Sequence, residues 1–230
     1  MIVARDSNRL EERRGDLLGL GSPQVLSIKA DLTVESDREA VADRLRSGSD
    51  PIELLVNNAG STLGVEFLQA AAADLVRQVE LNSISVMLLT HAALPGMIER
   101  GHGGVINVAS TAGLVPGRGS TYGASKSFVV SLSEGLAMSL RDSGVRVQAL
   151  CPGFVRTEFH QRAGIDMSTT PNWAYVDDDY LVAKSMDDLR ANRPLSIPGA
   201  LYKTIYLVTK LAPRSLVRRY ASKVKSKGRT

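Results

Sequence analysis

Cysteine, histidine and tryptophan are scarce in this sequence of 230 residues, which has one cysteine, three histidines and one tryptophan. A single cysteine, Cys151, cannot form an internal disulfide, so a scaffold held together by disulfides is excluded. The histidines, His91, His102 and His160, are scattered and lack the spacing of metal ligands. The sequence therefore predicts no metal site.

Long hydrophobic runs, internal repeats and low-complexity tracts are also missing. No apolar run approaches the ~18–20 residues that a membrane span needs, and no signal peptide is recognisable. Hydrophobic residues make up 43% of the chain and charged residues 23%, which is ordinary for a globular domain. We therefore expect one cytoplasmic domain with a sizeable core.

Acidic residues are missing from the end of the chain. After Asp188 there is none, whereas eleven lysines and arginines lie in residues 190–229. Residues 1–189 contain seventeen basic and twenty-four acidic residues and so carry a net charge of −7. The basic balance of the protein therefore belongs to its C-terminal part alone.

The basic extension, residues 199–230, also has an apolar pattern. Apolar residues recur in it at helical spacing, namely Leu201, Ile205, Val208 and Leu211. Such a segment could make a peripheral contact with an anionic membrane or bind nucleic acid without sequence specificity. The alternative is a solvated tail that covers the domain.

In residues 1–198, apolar runs bounded by glycine or proline alternate with segments of helical periodicity. The predicted strands are 1–4, 25–30, 53–57, 104–109, 146–151 and 194–198. The predicted helices are 7–18, 34–47, 74–100, 119–143 and 177–192. This alternation indicates repeated βα units, so we predict a doubly wound, Rossmann-like α/β domain with a parallel sheet.

Two motifs carry chemistry. An apolar strand ends at Ser110, and twelve positions later Tyr122 is followed, one helical turn on, by Lys126. Side chains four apart lie on the same face of a helix. Because a nearby ammonium favours phenolate, we expect Lys126 to lower the pKa of Tyr122 toward the range of efficient acid/base catalysis. Ser110 would hold the substrate oxygen.

Spacing alone does not identify this pair. Two other pairs have the same spacing, Tyr180/Lys184 and Tyr206/Lys210. A surface contact is the alternative for any such pair. Only Tyr122/Lys126 follows a strand that ends in a serine, with a glycine-rich turn region between them. We therefore predict that this pair is the reactive one.

From residue 1 to about Pro198 the chain resembles a short-chain dehydrogenase/reductase. Four further segments match that family in order, namely Asp31-Leu32, Leu54-Leu-Val-Asn-Asn-Ala-Gly60, Glu80-Leu-Asn82 and Pro152-Gly-Phe-Val-Arg-Thr157. The interval from serine to tyrosine is one residue shorter than the commoner thirteen, which puts Ala109 at the usual place. Ser110 is preferred because it ends the strand.

The resemblance implies the functional residues. The implied catalytic group is Asn82, Ser110, Tyr122 and Lys126, with Asn82 holding a water that links Lys126 to solvent. The implied cofactor contacts are Asp31, Leu32, Asn58, Ala59, Gly60, Tyr122, Lys126, Pro152, Gly153, Val155 and Thr157. Gly60 and Gly153 would let the backbone approach a ligand closely; the alternative is that each is a turn residue. A homo-oligomer formed through helices 74–100 and 119–143 is also implied.

Arg5, at the end of the first predicted strand, bears on the choice of cofactor. An acidic residue there would bind ribose hydroxyls, whereas an arginine favours a 2′-phosphate. We read Arg5 as the phosphate contact, helped by Ser7 and Arg9, and so predict NADP(H) rather than NAD(H). Asp6 keeps NAD(H) open, and a solvated arginine is the plain alternative.

The family's glycine-rich turn between its first strand and first helix is not found in this sequence. Met1-Ile-Val-Ala-Arg5 reads instead as the second strand. We therefore expect an internal start site, with roughly thirty to forty residues upstream that supply one strand–turn–helix unit. A truncated remnant is the alternative.

The resemblance implies hydride transfer between NADP(H) and a carbonyl or secondary alcohol. The 157–194 segment corresponds to the part that folds over the substrate in similar proteins. Its large apolar and aromatic residues are Phe159, Met167, Trp173, Tyr175 and Tyr180. They suit a hydrophobic ketone or 3-oxoacyl substrate, or they pack the segment on the domain. The rival hypothesis is an inactive remnant or a peripheral membrane-binding protein.

Overall fold

Parallel strands form the centre of the protein, whose computed structural model describes residues 1–115, 120–213 and 215–217. The strands are β1 (Ile2–Ala4), β2 (Ser27–Lys29), β3 (Leu54–Asn57), β4 (Gly103–Val108), β5 (Val145–Leu150), β6 (Phe154–Val155), β7 (Tyr175–Val176) and β8 (Leu195–Ser196). β3, β4, β5 and β8 make a four-stranded sheet in that order, while β1 pairs with β2 and β6 with β7. All these pairings are parallel.

Helices connect the strands. They are α1 (Ser7–Gly19), α2 (Glu35–Arg46), α3 (Ala72–Val79), α4 (Ser85–Arg100), α5 (Thr121–Ser139), α6 (Glu158–Arg162), α7 (Asp178–Arg190) and α8 (Ala200–Leu211). The doubly wound, Rossmann-like α/β architecture predicted from the sequence is thereby confirmed.

The observed elements differ most from the predictions in three respects. The single helix predicted over 74–100 is α3 and α4 joined by a turn of π-helix, Glu80–Ile84. The helix predicted over 119–143 runs from Thr121 to Ser139, and Gly119 lies outside the described residues. β6, β7 and α6 were not predicted, because segments of two to five residues are too short to show a period.

The core lies on both faces of the four-stranded sheet. Val105, Val147 and Ala149 in β4 and β5 are buried, as expected for strands of a parallel sheet covered by helices on both sides. Residues of α2 and α4 pack with them in one cluster, and residues of α5 and α7 in a second. The carboxyl ends of β3, β4 and β5 therefore meet at a single edge.

The continuous helical stretch Ala72–Arg100 is long and apolar enough to cross a membrane by length and composition. More than half of its most apolar window is buried inside the protein. Leu89, Ala93 and Met97 contribute to the core cluster beside β4. Its apolar character is therefore accounted for by packing within the domain.

A buried polar network joins the two central strands to the two long helices. Asn57 Nδ2 donates to Asn107 Oδ1 at 2.8 Å and to Thr90 Oγ1 at 3.1 Å. Asn107 Nδ2 donates to Ser133 Oγ at 3.0 Å. Thr90 also donates to Asn107 Oδ1 at 3.3 Å. Hydrogen-bonded groups in a core specify one arrangement of the elements that carry them, here β3, β4, α4 and α5.

Replacing Asn107 with alanine should destabilise the fold. The substitution would leave the buried groups of Asn57, Thr90 and Ser133 short of partners, at a cost of about 2–4 kcal/mol in the free energy of unfolding. Urea unfolding measures it. The matched control is Asn8→Ala, at an exposed position in α1, with an expected change within about 0.5 kcal/mol. Equal midpoints for the two variants would show that the network does not stabilise the fold.

Candidate active site

Loops after three neighbouring strands meet at the carboxyl edge of the sheet. Asn58, Ala59 and Gly60 follow β3, Ser110 follows β4, and Pro152 follows β5. In open α/β sheets, ligands bind beyond this edge. The structure thus brings three of the segments predicted to contact substrate or cofactor into one crevice.

Ser110 lies immediately beyond β4 in extended backbone. The backbone pairing continues on both sides of it, because Ala109 N donates to Leu150 O at 2.7 Å and Thr111 N to Pro152 O at 3.0 Å. Ala109 is buried in the core beside β5. Ser110 Oγ is available to the crevice and accepts a bond from Ala112 N at 3.1 Å. Of the two neighbouring residues, Ala109 belongs to the core and Ser110 borders the crevice, which agrees with the choice of Ser110.

Tyr122 lies in the first turn of α5. Ser120 caps this helix, its Oγ accepting from Gly123 N at 3.0 Å, which fixes where the helix begins. The side chain of Ser110 lies near the phenol of Tyr122 and acts to lower its pKa. The serine after β4 and the tyrosine of α5 therefore lie on the same crevice.

The pKa of Tyr122 is raised, not lowered. Burial disfavours the phenolate and is the larger effect, and the nearby side chain of Ser110 opposes it in part. The expected lowering of this pKa is not found, because burial outweighs the opposing effects and Lys126 is not among the groups that shift it. Lys126 Nζ lies 5.9 Å from the centre of the Tyr122 ring and donates at 2.6 Å to Val108 O. Its charge is directed at a backbone carbonyl instead of the phenol.

Lys126 is 3% exposed, and burial lowers its pKa to about 8. Gly60 lies against the same ammonium. A Cβ at residue 60 would be 3.4 Å from Lys126 Nζ and 3.4 Å from Asn82 Oδ1. The strand-end glycine, the central-helix asparagine and the lysine are therefore within one small volume.

Asn82 is fully buried in the π turn between α3 and α4. Its Oδ1 accepts from Ser61 N at 2.9 Å, and its Nδ2 donates to Ser61 O at 2.8 Å. Turns of π-helix are rare and occur often at functional sites. Here the turn aims Asn82 at the loop after β3. The sequence predicted Asn82 as a site residue but did not predict the turn of π-helix that carries it. That Asn82 holds a water remains a prediction.

The segment after β5 has a structural partner. A side chain at Gly153 would overlap the ring of Tyr202 in α8, so this glycine makes room for Tyr202. The Tyr202 hydroxyl donates to Ala174 O at 2.6 Å and accepts from Phe154 N at 3.1 Å. The space above Gly153, which was expected to admit a ligand, is therefore occupied by α8.

The remaining predicted contacts after β5 continue along this segment. Val155 lies in β6, paired in register with Val176 of β7. Thr157 caps α6, its Oγ1 accepting from Phe159 N at 3.3 Å. Pro152 contributes its carbonyl to the ladder beside Ser110. Each residue thus has a local structural role next to the crevice.

Arg5 and Asp31 lie together beyond the carboxyl ends of β1 and β2, the strands of a two-stranded sheet. Arg5 Nη1 is 3.7 Å from Asp31 Oδ2, and the Arg5 side chain is 62% exposed. Partial burial raises the pKa of Asp31, but bonds from Thr33 and the charge of Arg5 outweigh it and hold that pKa below its usual value. Leu32 packs against the core, and its carbonyl accepts from Arg38 Nη1 at 2.9 Å.

Of the residues expected to assist Arg5, Arg9 has another partner, and the neighbouring Asp6 has a structural role. Asp6 is the N-cap of α1 and accepts from Asn8 N and Arg9 N, which accounts for an acid beside Arg5. Ser7 is the first residue of α1. Arg9 makes two bonds to the carboxylate of Glu158 in α6, at 2.8 and 3.3 Å. Arg9 therefore links the first helix to the 157–194 segment.

The two other tyrosine/lysine pairs have plain structural roles. Lys184 forms an ion pair with Asp188. Lys210 lies over the ring of Tyr206, 5.5 Å from its centre. Their partners account for both pairs without chemistry.

The aromatic residues of the 157–194 segment separate into two groups. The Phe159 ring lies 5.7 Å from the ring of Tyr122, so it borders the reactive phenol. Trp173, Tyr175 and Tyr180 line a surface pocket beside α8. The sequence predicted these aromatic residues as one group. The structure shows that Phe159 lies beside the Tyr122 phenol.

Known proteins resemble this arrangement. Residues 1–167 match the family described as short chain dehydrogenase. "NADP-dependent 3-hydroxy acid dehydrogenase YdfG" of Escherichia coli is 36% identical over 69% of this chain and 64% of its own length. "Short-chain dehydrogenase from Sphingobium yanoikuyae in complex with NADPH" superposes with a TM-score of 0.82 and 30% identity, covering 99% of this chain and 87% of that one.

A second solved structure extends the comparison. The "bulky-bulky ketone specific alcohol dehydrogenase from Comamonas testosteroni" has a TM-score of 0.77 and 27% identity, covering 99% of this chain and 85% of that one. The aligned region spans 60 to 64% of the length of curated relatives at 35 to 36% identity. With the family match over residues 1–167 and Ser110 near the Tyr122 phenol, the chain belongs to the short-chain dehydrogenase family.

Proposed function

We propose that the protein is an NADP(H)-dependent oxidoreductase that interconverts a hydrophobic ketone or 3-oxoacyl substrate and its secondary alcohol. The observation that carries the proposal is the placement of Ser110 after β4 near the Tyr122 phenol in the first turn of α5. The convergence of Lys126 and Asn82 on Gly60 supports it. The names of the Escherichia coli relative and of the Comamonas structure, one a 3-hydroxy acid dehydrogenase and one a ketone-specific dehydrogenase, support the substrate class.

The residues present fit two parts of a phosphorylated dinucleotide, its 2′-phosphate and its nicotinamide ribose. Arg5 offers an exposed guanidinium, partly neutralised by Asp31, for a 2′-phosphate. Gly60 leaves open the surface between Asn82 and Lys126, where a nicotinamide ribose would be held. When bound, the cofactor supplies or accepts the hydride. The relative named as NADP-dependent and the structure solved with NADPH favour NADP(H) over NAD(H).

The remaining cofactor contacts are assigned by position. Asp31 and Leu32 would border the adenine, and Asn58, Ala59 and Gly60 the ribose side of the crevice. Pro152, Gly153, Val155 and Thr157 would border the nicotinamide. Tyr202 fills the space that a side chain at Gly153 would occupy, so we assign the contact of Gly153 to its backbone.

Tyr122 and Ser110 act on the substrate oxygen. Ser110 donates a hydrogen bond that orients the carbonyl, and Tyr122 gives its proton to the oxygen as the carbon is reduced. The Tyr122 phenol, whose pKa burial raises, is protonated at neutral pH. It can therefore act as the acid when the carbonyl is reduced.

Lys126 and Asn82 place the reactive groups. Lys126 Nζ, bonded to Val108 O, ties α5 to the strand that ends at Ser110 and so fixes the distance between serine and tyrosine. With a pKa of about 8, it can also return a proton toward Tyr122 after each turnover. Asn82 holds the loop that carries Gly60. We propose a relay through Asn82 and Lys126 to solvent.

The subunit arrangement is a further part of the proposal. α4 and α5 carry large apolar residues that are exposed in the single chain, namely Leu88, Ile98, Phe128 and Met138. Such residues on two long helices support a homo-oligomer formed through them. The cytoplasmic location stays a prediction from composition.

Tyr122→Phe should lower turnover by roughly a hundredfold or more while NADPH binding is retained, because it removes the transferable proton and little else. Oxidation of NADPH with a panel of ketones and 3-oxoacyl thioesters measures turnover, and NADPH fluorescence measures binding. Tyr180→Phe, in a pair with the same spacing at the surface, is the control and should be unaffected.

If Tyr122→Phe retained turnover, the proposed proton transfer from the Tyr122 phenol would be contradicted. Failure of the wild-type protein both to bind NADPH and to turn over would support instead the rival reading of a non-catalytic member of the family.

Gly60→Ala should impair use of the cofactor. The added methyl lies at ordinary contact distance from Asn82 and Lys126, so the fold tolerates it, but it covers the surface assigned to the cofactor. We expect a fall of roughly ten- to a hundredfold in kcat/KM for NADPH. The control is Gly15→Ala in α1, where no atom lies within 4 Å of the new methyl. Unchanged kinetics in Gly60→Ala would place the cofactor elsewhere.

A further inference from the structure

We propose that the outer side of α8, together with two neighbouring aromatic residues, is a docking surface for an anionic lipid bilayer. This surface, called the α8 face, consists of Leu201, Ile205, Val208, Leu211, Trp173 and Tyr180. The proposal does not depend on the enzymatic function.

α8 is held on the domain by its opposite side. The ring of Tyr202 is buried beside Gly153, and its hydroxyl bonds to Ala174 O and Phe154 N. Tyr206 is half-buried on the same side and packs against the core. The tyrosines are therefore the anchors, and this orientation turns the leucine, isoleucine and valine side chains outward.

The outward side of α8 is apolar, the reverse of an ordinary surface helix. Exposure rises along it, from 38% at Leu201 through 44% at Ile205 and 59% at Val208 to 84% at Leu211. At 100° per residue these four side chains occupy one continuous stripe. A contiguous apolar surface of this kind indicates a binding partner.

Two lysines lie on one side of α8, between the stripe and the buried tyrosines. Lys203 and Lys210 are exposed and, at 100° per residue, lie about 20° apart and roughly 80–100° beyond Leu211. An apolar face with lysines beside it is the arrangement of helices that lie in the plane of a membrane interface, where long lysine side chains reach the lipid headgroups.

Aromatic residues extend the face at one end. Trp173 is 73% exposed and Tyr180 49% exposed, and both share a surface pocket with Leu201. Tryptophan and tyrosine favour the boundary between headgroups and acyl chains because each ring is apolar with one polar atom. An exposed tryptophan next to an apolar helix face thus fits a bilayer surface.

The positive charge of residues 190–229 favours an anionic lipid bilayer as the partner. Residues 190–229 contain eleven lysines and arginines and no acidic residue. Such a segment is attracted to anionic lipids, each charge near the surface raising partitioning roughly fivefold. A second copy of the same face would bring like charges together, which opposes self-association. A nucleic acid would satisfy the charges but leave the apolar stripe uncovered.

Trp173 makes the test direct, because it is the only tryptophan in the sequence. The full protein is mixed with phosphatidylcholine vesicles with and without phosphatidylglycerol, and its emission and cosedimentation are measured. We expect a blue shift and quenching by brominated acyl chains with the anionic vesicles, and much weaker binding at high salt.

Variants separate the apolar and ionic contributions. Ile205→Asp with Val208→Asp should weaken vesicle binding at least on the order of tenfold, and Lys203→Glu roughly fivefold or more. Leu68→Asp is the control, since Leu68 is an exposed leucine outside the α8 face, and it should bind as the wild type does. Circular dichroism confirms that each variant is folded.

Three results would overturn the proposal. The first is an unchanged Trp173 emission with anionic vesicles at low salt. The second is tight binding to duplex DNA that the aspartate variants retain, without vesicle binding, which would assign the charge to nucleic acid. The third is a dimer that Ile205→Asp dissociates, again without vesicle binding, which would assign the face to a second copy.

Discussion

The burial of the Lys126 ammonium is the constraint on which the site depends. A buried charge is costly unless it is hydrogen-bonded, and here Val108 O accepts from it at 2.6 Å. That bond requires α5 to lie against the end of β4, which places Tyr122 beside Ser110. It also requires the loop at Gly60 to pass close by without a side chain. The buried asparagine network beneath the site holds the same strands and helices in register.

Burial acts on both titrating groups in the same sense, favouring their neutral forms. It raises the pKa of Tyr122 and lowers that of Lys126 to about 8. The phenol is therefore a proton donor at neutral pH, and the lysine is poised to exchange a proton in the same range. Spacing alone could not predict these shifts, because four residues along a helix bring two side chains together but do not determine their burial or where the ammonium points.

Much of the architecture could be predicted from the sequence, as could the residues that the fold brings together at the crevice. The apolar runs gave the strands, and the serine that ends one of them distinguished Tyr122/Lys126 from two pairs of equal spacing. The π turn could not be predicted, because it depends on how one helix accommodates Asn82 against Ser61. The contacts of Gly153 with Tyr202 and of Arg9 with Glu158 join distant parts of the chain, and no local pattern marks them.

Direct titration of Lys126 tests the central claim best. Carbon-13 labelling of the lysine side chains, with the resonance assigned through Lys126→Met, gives its pKa by NMR in the folded protein. The account predicts a midpoint near 8. An unfolded lysine titrates near 10.5, so this group's contribution to stability should grow as the pH rises from about 8 to 10.5. A midpoint near 10.5 in the folded protein would contradict the account, because it would mean that the ammonium is solvated and does not hold α5 against β4.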